Sequence, residues 1–319
     1  MTMAGVVFVG VATADVIAVV DHHPAPDERI VADDLVHGGG GPAATAAVTA
    51  ARLGLSVELV ATVGDDAPGR GIAADLGAEG VGIRHLTTDA RRRTPASVVL
   101  ASRRETARAI CTLPVPPLEL PPGARAAVLA ADWVHVDHLG WPAVAELLAD
   151  VPAAKRPRLS VDDGNPVPGT RCRPADVQLY VPTAARLAER FPDAARDPLP
   201  TGTPADAAGV TAREAALLAA PGAERVVATD GARGSVGRDG DGTLHRAAAA
   251  PVDVVSTLGA GDVFHGALLT AVIRGLPLPE AMAFAGDVAA RSCRAVDGRS
   301  AIPRSHELAA PPGDVKESE

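Results

Sequence analysis

The stretch Val254-Val255-Ser256-Thr257-Leu258-Gly259-Ala260-Gly261-Asp262-Val263-Phe264-His265-Gly266-Ala267 decides how the rest of the chain is read. Its β-branched start reads as the end of a strand. An apolar helical pattern runs from Val263 to Ile273, and between the two lies a Gly-Ala-Gly turn followed at once by an acid. A helix start of this kind offers unpaired N–H groups and the positive end of the helix dipole, which attract anions, phosphate above all. A carboxylate there would repel a phosphate that was merely bound. It makes chemical sense if Asp262 takes a proton from a hydroxyl while the amides of Gly259, Ala260 and Gly261 hold the charge growing on a transferred phosphoryl group. Side chains at Gly259 or Gly261 would block close backbone approach. The same residues also fit an ordinary strand-to-helix turn with Asp262 as its N-cap.

Working outward, the chain alternates strands and helices. Val6 to Val9 reads as a buried strand ending at Gly10, and Asp15 follows. Val16 to Val20 and Arg29 to Val36 read as further strands with no helix between them, so they form a piece apart from the main alternation. The run Gly38-Gly39-Gly40-Gly41 leads into a small-residue helix from Ala43 to Leu53, stopped by Gly54. Its many alanines allow close packing on a neighbour. Thr94 to Ala101 and Ala107 to Leu113 read as a hairpin of the same accessory layer. From about Ala124 strands at 133–136, 159–161, 177–181 and 225–228 alternate with helices. The hairpin 235–248, the helix of Asp262 and a helix over 278–293 follow. This alternation predicts an α/β fold with a mostly parallel sheet covered on both faces. Ligands of such sheets bind beyond the carboxyl ends of the strands. Asp15, Gly38–Gly41, Thr229–Gly234 and Gly259–Asp262 all fall at strand ends or glycine turns, which places four polar sites around one cleft.

Composition removes several classes of function. The 319 residues are 47% hydrophobic, ample for a large core. The net charge is −9 with no basic block, so no nucleic-acid partner is expected. No apolar run approaches the roughly 20 residues of a membrane span. The apolar start of the chain reads as a first strand, not a signal peptide. Cys111, Cys172 and Cys293 are scattered and odd in number, which suits a reducing, cytoplasmic setting without disulfides. The segment from Ala309 is rich in Pro, Gly and charge and reads as a disordered tail, 309–319.

Other motifs fail. The glycine run lacks the Gly-Lys-Ser/Thr of a P-loop, and no Gly-x-Gly-x-x-Gly follows the first strand. Asp21-His22-His23 has too few upstream acids for a two-metal phosphoesterase and reads as a solvated loop before Pro24. Arg91-Arg92-Arg93 and Arg103-Arg104 read as exposed turn charges.

Two stretches, Gly40-Gly41-Pro42-Ala43-Ala44-Thr45-Ala46-Ala47 with Leu53-Gly54, and Ser256-Thr257-Leu258-Gly259-Ala260-Gly261-Asp262 with Gly266-Ala267, carry a resemblance. In this order and spacing the chain resembles the ribokinase-like (PfkB-type) carbohydrate kinases over nearly its whole length. The wording of both stretches, with Val263-Phe264-His265 and the segment 293–303, resembles the sulfofructose kinase branch most. The resemblance implies a Rossmann-like three-layer α/β/α domain over 1–308, with a small β-sheet lid from about 12–37 and 92–114 that in relatives often builds a homodimer. It implies an ATP-dependent sugar kinase assisted by magnesium. It assigns Asp262 as catalytic base and Gly259, Ala260 and Gly261 as anion hole. Asp15 and Thr13, with Gly40, Gly41 and Thr45, are assigned to the sugar, and Thr229, Gly231 and Gly234 to the nucleotide. Arg29, on the lid, is the basic residue expected to meet an anionic substrate group.

Four departures from the family pattern matter. Thr45 stands where most members have Asn, although the sulfofructose kinase branch shares Thr. Ser256 replaces the leading Asp of the second stretch, so the resemblance does not decide whether potassium binds. The Asn-x-x-Glu that helps order magnesium-bound water is lost around Tyr180-Val181-Pro182-Thr183, which leaves the metal residues unknown. His138 or Leu139 stands where an arginine would meet a sulfonate. A nucleoside kinase of the same fold, and a sugar-binding regulator without catalysis, remain as other readings. Sparse aromatics, 2% of the chain, weigh against stacking a base, and the intact Gly-Ala-Gly-Asp weighs against loss of catalysis.

Overall fold

A computed structural model describes residues 5–105, 107–166, 173–195 and 209–308. The tail expected from Ala309, and residues 196–204 of the loop after Phe191, lie outside the described residues. In chain order the elements are β1 (Val6–Val9), β2 (Thr13–Val20), β3 (Asp34–Gly40), α1 (Pro42–Arg52), β4 (Val57–Gly64), α2 (Ala67–Ala78), β5 (Gly82–Asp89), β6 (Ala96–Ser102), β7 (Ala107–Thr112), α3 (Pro122–Ala130), β8 (Trp133–Val136) and α4 (Gly140–Leu148). They continue with β9 (Arg158–Asp163), β10 (Leu179–Pro182), α5 (Ala184–Arg190), α6 (Pro192–Ala195), α7 (Ala212–Ala219), β11 (Arg225–Thr229), β12 (Ser235–Arg238), β13 (Leu244–Ala247), α8 (Ala260–Ile273) and α9 (Leu278–Ser292).

The large sheet runs β13-β12-β11-β10-β9-β8-β1-β4-β5. From β11 to β5 all neighbours are parallel, and β12 and β13 extend it antiparallel. Val6 to Val9 are all buried, as parallel strands covered on both faces must be. One face carries α1, α2, α8 and α9, packed through residues such as Ala47, Leu76, Leu268 and Met282. The other carries α3, α4, α5 and α7, packed through Val128, Trp141, Leu187 and Leu218. The result is the three-layer α/β/α arrangement expected.

Helix α8 is apolar nearly all round, which fits a helix buried in the centre rather than one at the surface. Close approach needs small residues on both sides. A Cβ at Gly266 would lie 2.4 Å from the Ala46 carbonyl oxygen, so the alanine-rich α1 and Gly266 together allow the two helices to meet.

A second sheet, β3-β2-β6-β7, stands apart from the first. Strand β2 pairs antiparallel with β3 (Thr13 opposite Gly40, Asp15 opposite Gly38) and parallel with β6 (Asp15 opposite Ser97).

Three readings change. The glycine run is not a loop after a strand at 29–36; it is the end of β3 itself, and residues 29–33 precede that strand. Its lack of side chains is what lets β3 lie against Asp15: a Cβ at Gly40 would sit 1.9 Å from Asp15 Oδ2. Val254 and Val255 are not a strand end. They are exposed and irregular, and the amides of Val255 and Ser256 bond the Cys293 carbonyl at the end of α9 instead of a sheet neighbour. The edge strand β5 carries no strand signal in the sequence, because it mixes exposed and half-buried residues without clean alternation.

Candidate active site

Because β1, β8, β9, β10 and β11 are parallel, their carboxyl ends share one edge. At that edge Asp137, just after β8, is fully buried. Its Oδ2 accepts from the amides of Val11 (2.7 Å) and Ala43 (3.3 Å), and its Oδ1 from Leu139 and Gly140 (both 2.9 Å). One carboxylate therefore ties the end of β1 to the starts of α1 and α4. Gly10 must be glycine to admit it: a Cβ there would lie 2.2 Å from the carboxyl group. Nothing short-range in the sequence marks Asp137; only its place after a buried strand could have.

Above this edge, roofed by the second sheet, lies a cleft of about 410 Å³. Thr13, Asp15, Gly40, Gly41, Thr45, Gly259 and Asp262 all line it, so residues from the two halves of the chain meet as expected. Gly41, at φ 90°, is the N-cap of α1; a Cβ there would strike the Val11 carbonyl oxygen at 2.4 Å. Burial raises the Asp15 carboxyl above its usual range, opposed by the hydroxyls of Thr13 and Ser97 and the charge of Arg299. Its Oδ1 is buried without a hydrogen-bond partner among the described residues. A buried acceptor left without a partner is costly unless a ligand donor satisfies it.

At the far side α8 begins. Its N-cap is Gly259, at φ 72°, with no side-chain cap, and Asp262 is the third helical residue. Asp262 is therefore not an N-cap. The backbone N–H groups of Gly261 and Asp262 belong to the first turn and have no partner within the helix, and the space beside the Gly261 Cα is open. The Asp262 carboxyl is pushed up to about 7, first by burial and then by the charges of Asp162 and Asp137, against His265 and Arg299. A base poised near neutral pH is what proton abstraction from an alcohol calls for. His265, one turn along α8, fixes the helix start: its ring nitrogens lie 2.7 Å from the Gly261 oxygen and 3.0 Å from the Val181 oxygen.

The second sheet reaches across to this turn, where Arg108 on β7 hydrogen-bonds the Thr257 hydroxyl. Among the described residues His138 and Leu139, and no arginine, follow β8 in the lining of the cleft. Arg29 is not brought to the cleft; it is exposed in the stretch before β3 and is absent from the lining. That stretch is not strand, so nothing there turns Arg29 inward.

Thr229, Gly231 and Gly234 end β11 on the same sheet edge but do not line this cleft. Gly231 and Gly234 have positive φ, 54° and 88°, and a Cβ at Gly234 would meet the Ala247 oxygen at 2.1 Å. Among the described residues no group of three His, Cys, Asp or Glu could hold a metal ion by itself, and no helix is long and apolar enough to cross a membrane.

Arg299 is the residue that the sequence reading missed. It follows Gly298, which lines the cleft, and its guanidinium reaches Thr45 and Gly40. A lone arginine in a glycine turn carries no signal that would have marked it out.

A sequence model described as the pfkB family carbohydrate kinase matches residues 3–144 and 201–304. The chain is 25% identical over 303 residues to a ribokinase of Haemophilus influenzae, covering 93% of this chain and 95% of that protein. Among solved structures it is similar to an Arabidopsis thaliana ribokinase complexed with ribose and ATP, with a TM-score of 0.77, 21% identity, and coverage of 96% and 97% of the two chains. It is similar also to a Methanocaldococcus jannaschii nucleoside kinase, with a TM-score of 0.72, 18% identity, and coverage of 94% and 95%.

Proposed function

The chain belongs to the pfkB family of carbohydrate kinases, phosphotransferases with a hydroxyl acceptor, and from that premise we propose that it is an ATP-dependent kinase of a ketose-like or related sugar. The observation that carries this reading is the shared cleft: an unpartnered Asp15 Oδ1 on one wall and Asp262 in the first turn of α8 on the other.

Asp15 accepts hydrogen bonds from sugar hydroxyls, beside the backbone of Gly40 and Gly41, with Thr13 and Thr45 completing the wall. This holds the reacting hydroxyl near Asp262, and positioning of this kind accounts for much of phosphoryl-transfer catalysis. The hydroxyl oxygen forms a bond to the γ-phosphorus as the bond from that phosphorus to the bridging oxygen breaks and ADP leaves. The hydroxyl proton passes to Asp262. Of the amides assigned to the anion turn, that of Ala260 donates to the Thr257 carbonyl (3.3 Å), so the first-turn amides of Gly261 and Asp262, with Gly259 beside them, stabilise the charge on the phosphoryl oxygens. The second sheet touches Thr257 through Arg108, and its closure over bound substrate would exclude water from the cleft. Thr229, Gly231 and Gly234 are assigned to the nucleotide, on the same sheet edge.

Magnesium arriving with the nucleotide would be held largely by phosphate oxygens and water. That fits a chain whose described residues form no cage of their own. The ion would neutralise phosphate charge; no protein ligand for it, or for a monovalent cation, is assigned.

Within the family, the wording of both signature stretches favours the sulfofructose kinase branch. His138 and Leu139 in the cleft and Arg29 outside it favour a substrate without a sulfonate. Leu35 on β3 and Val98 on β6 share the outer face of the second sheet and are 58% and 51% exposed, which supports a homodimer through that face; sedimentation of wild type against Val98→Asp tests it.

The test of the activity is an ADP-release screen with ATP over ketoses, sulfonated and phosphorylated sugars, and nucleosides. Turnover of a ketose is expected. Turnover of nucleosides alone would make this a nucleoside kinase. Sugar binding by calorimetry without ADP formation would make it a regulator.

A further inference from the structure

The segment Asp297-Gly298-Arg299 touches three parts of the site at once. Gly298 packs on the anion turn, where a Cβ at Gly259 would lie 3.1 Å from the Gly298 Cα. Asp297 packs beside Gly38 of β3. The Arg299 side chain then crosses to the sugar wall: Nε donates to Thr45 Oγ1 (3.1 Å) and Nη2 to the Gly40 carbonyl (2.7 Å). Gly39 must be bare to admit it, since a Cβ there would lie 2.3 Å from Nη1.

The segment is held from behind. Asp297 Oδ1 accepts from the amides of Arg299 and Ser300, while Arg52 Nη1 donates to the carbonyls of Arg299 and Ile302, both at 2.7 Å. Arg52 is in turn clamped by Glu79 through two bonds of 2.8 and 2.6 Å. A long cation fixed at its backbone and at two donors keeps one position, so its charge acts at a fixed place.

That place lies within the field of both working acids. Burial pulls the Arg299 guanidinium down to about 10, with Asp15 and Asp262 pulling it back up, so it stays cationic at neutral pH. The other groups around Asp262 are Asp162 from β9, His265 on its own helix and Asp137 after β8, which has His138 beside it. Arg299 is the one permanent cation of that set.

We propose that Arg299 is a positioning residue of the phosphoryl-transfer site, which ties the sugar wall to the anion turn and holds a fixed positive charge between them. The inference rests on the kinase reading above for its kinetic readout, and on geometry alone for its structural one.

The experiment compares wild type with Arg299→Met, Arg299→Lys and Thr45→Val. Arg299→Met is expected to move the acidic limb of the kcat/KM–pH profile upward, because it removes a cation that lowers the proton affinity of Asp262. It should also raise the sugar KM about tenfold or more, as loss of a charged hydrogen bond does, with the ATP KM nearly unchanged. Arg299→Lys restores the limb but not the sugar KM, because an ammonium lacks the two-pronged fork. Thr45→Val, which keeps the charge, raises the sugar KM and leaves the limb in place; it carries the test should Arg299→Met fail to fold. A residue that only braces the fold would lower activity equally at every pH. A limb that stays put in Arg299→Met, or one that moves in Thr45→Val, overturns the proposal. Carboxyl carbon NMR titration, with Asp262→Asn to assign the signal, reads the same shift without turnover. If wild type phosphorylates nothing, the kinase reading falls and the Arg299 claim is still decided.

Discussion

Replacing Gly40 by alanine isolates the sugar wall from the rest of the machine. The backbone at Gly40 is ordinary strand, so alanine can adopt it. The added Cβ, however, would lie 1.9 Å from Asp15 Oδ2, 2.8 Å from Asp15 Cγ and 2.7 Å from Thr13 Oγ1. Comfortable contact begins near ~3.5 Å, so the carboxyl group must retreat by about 1.5 Å. A displacement of about 1 Å can cost roughly 10²-fold when it spoils the placement of reacting groups. Loss of one hydrogen bond to a charged group costs about 1.5–3 kcal/mol. Both figures lead to a fall in kcat/KM for the sugar of about 10²-fold. The nucleotide side is untouched, because Thr229, Gly231 and Gly234 lie outside this cleft. The assay is steady-state ADP release, varying sugar at saturating ATP and then the reverse. Circular dichroism and thermal melting serve as controls for folding. A folded Gly40→Ala enzyme whose sugar kcat/KM stays within about threefold of wild type would refute the idea that Asp15, held as the structure holds it, binds the sugar.

Four further outcomes follow from the same geometry. Asp262→Ala should lower kcat by roughly 10²–10⁴-fold while the fold persists, the usual range for a positioned acid or base; a near-normal rate in a single-turnover assay would remove it as the base. With Asp262 pushed up to about 7, the ionised base disappears as pH falls, so kcat/KM should drop about tenfold per unit below pH 7, and a rate that stays level down to pH 5.5 contradicts this. The same shift has a stability sign: the folded chain holds this proton more tightly than the unfolded one, so Asp262 makes folding less favourable as pH rises from about 4 to 7, and Asp262→Asn should flatten that slope in urea titrations. Gly266→Ala would place a Cβ 2.4 Å from the Ala46 oxygen and 2.8 Å from Thr49 Cβ, and should cost about 1–3 kcal/mol by forcing α1 and α8 apart; an unchanged urea midpoint would show that the interface is slack.

Legible from local pattern were the layered α/β class, a helix following the Gly259–Gly261 turn, and the acids Asp15 and Asp262 as site residues; that α8 already begins at Ala260 came from the structure. The first three were legible because each rests on local chemistry. Buried parallel strands need apolar runs, and glycine turns need absent side chains. A helix start carries free amides whatever surrounds it. Tertiary structure alone decided the rest. It turned Gly38–Gly40 into a strand end, because what selects glycine there is the Asp15 carboxyl at Gly40 and the Arg299 guanidinium at Gly39, both distant in sequence. It took Val254 and Val255 off the sheet by giving their neighbourhood a hydrogen-bond partner at the end of α9. It left Arg29 in solvent and drew in Arg299, which sits 254 positions from the threonine it holds. A charge is placed by what packs around it, and no local pattern records which arginine the fold will enclose.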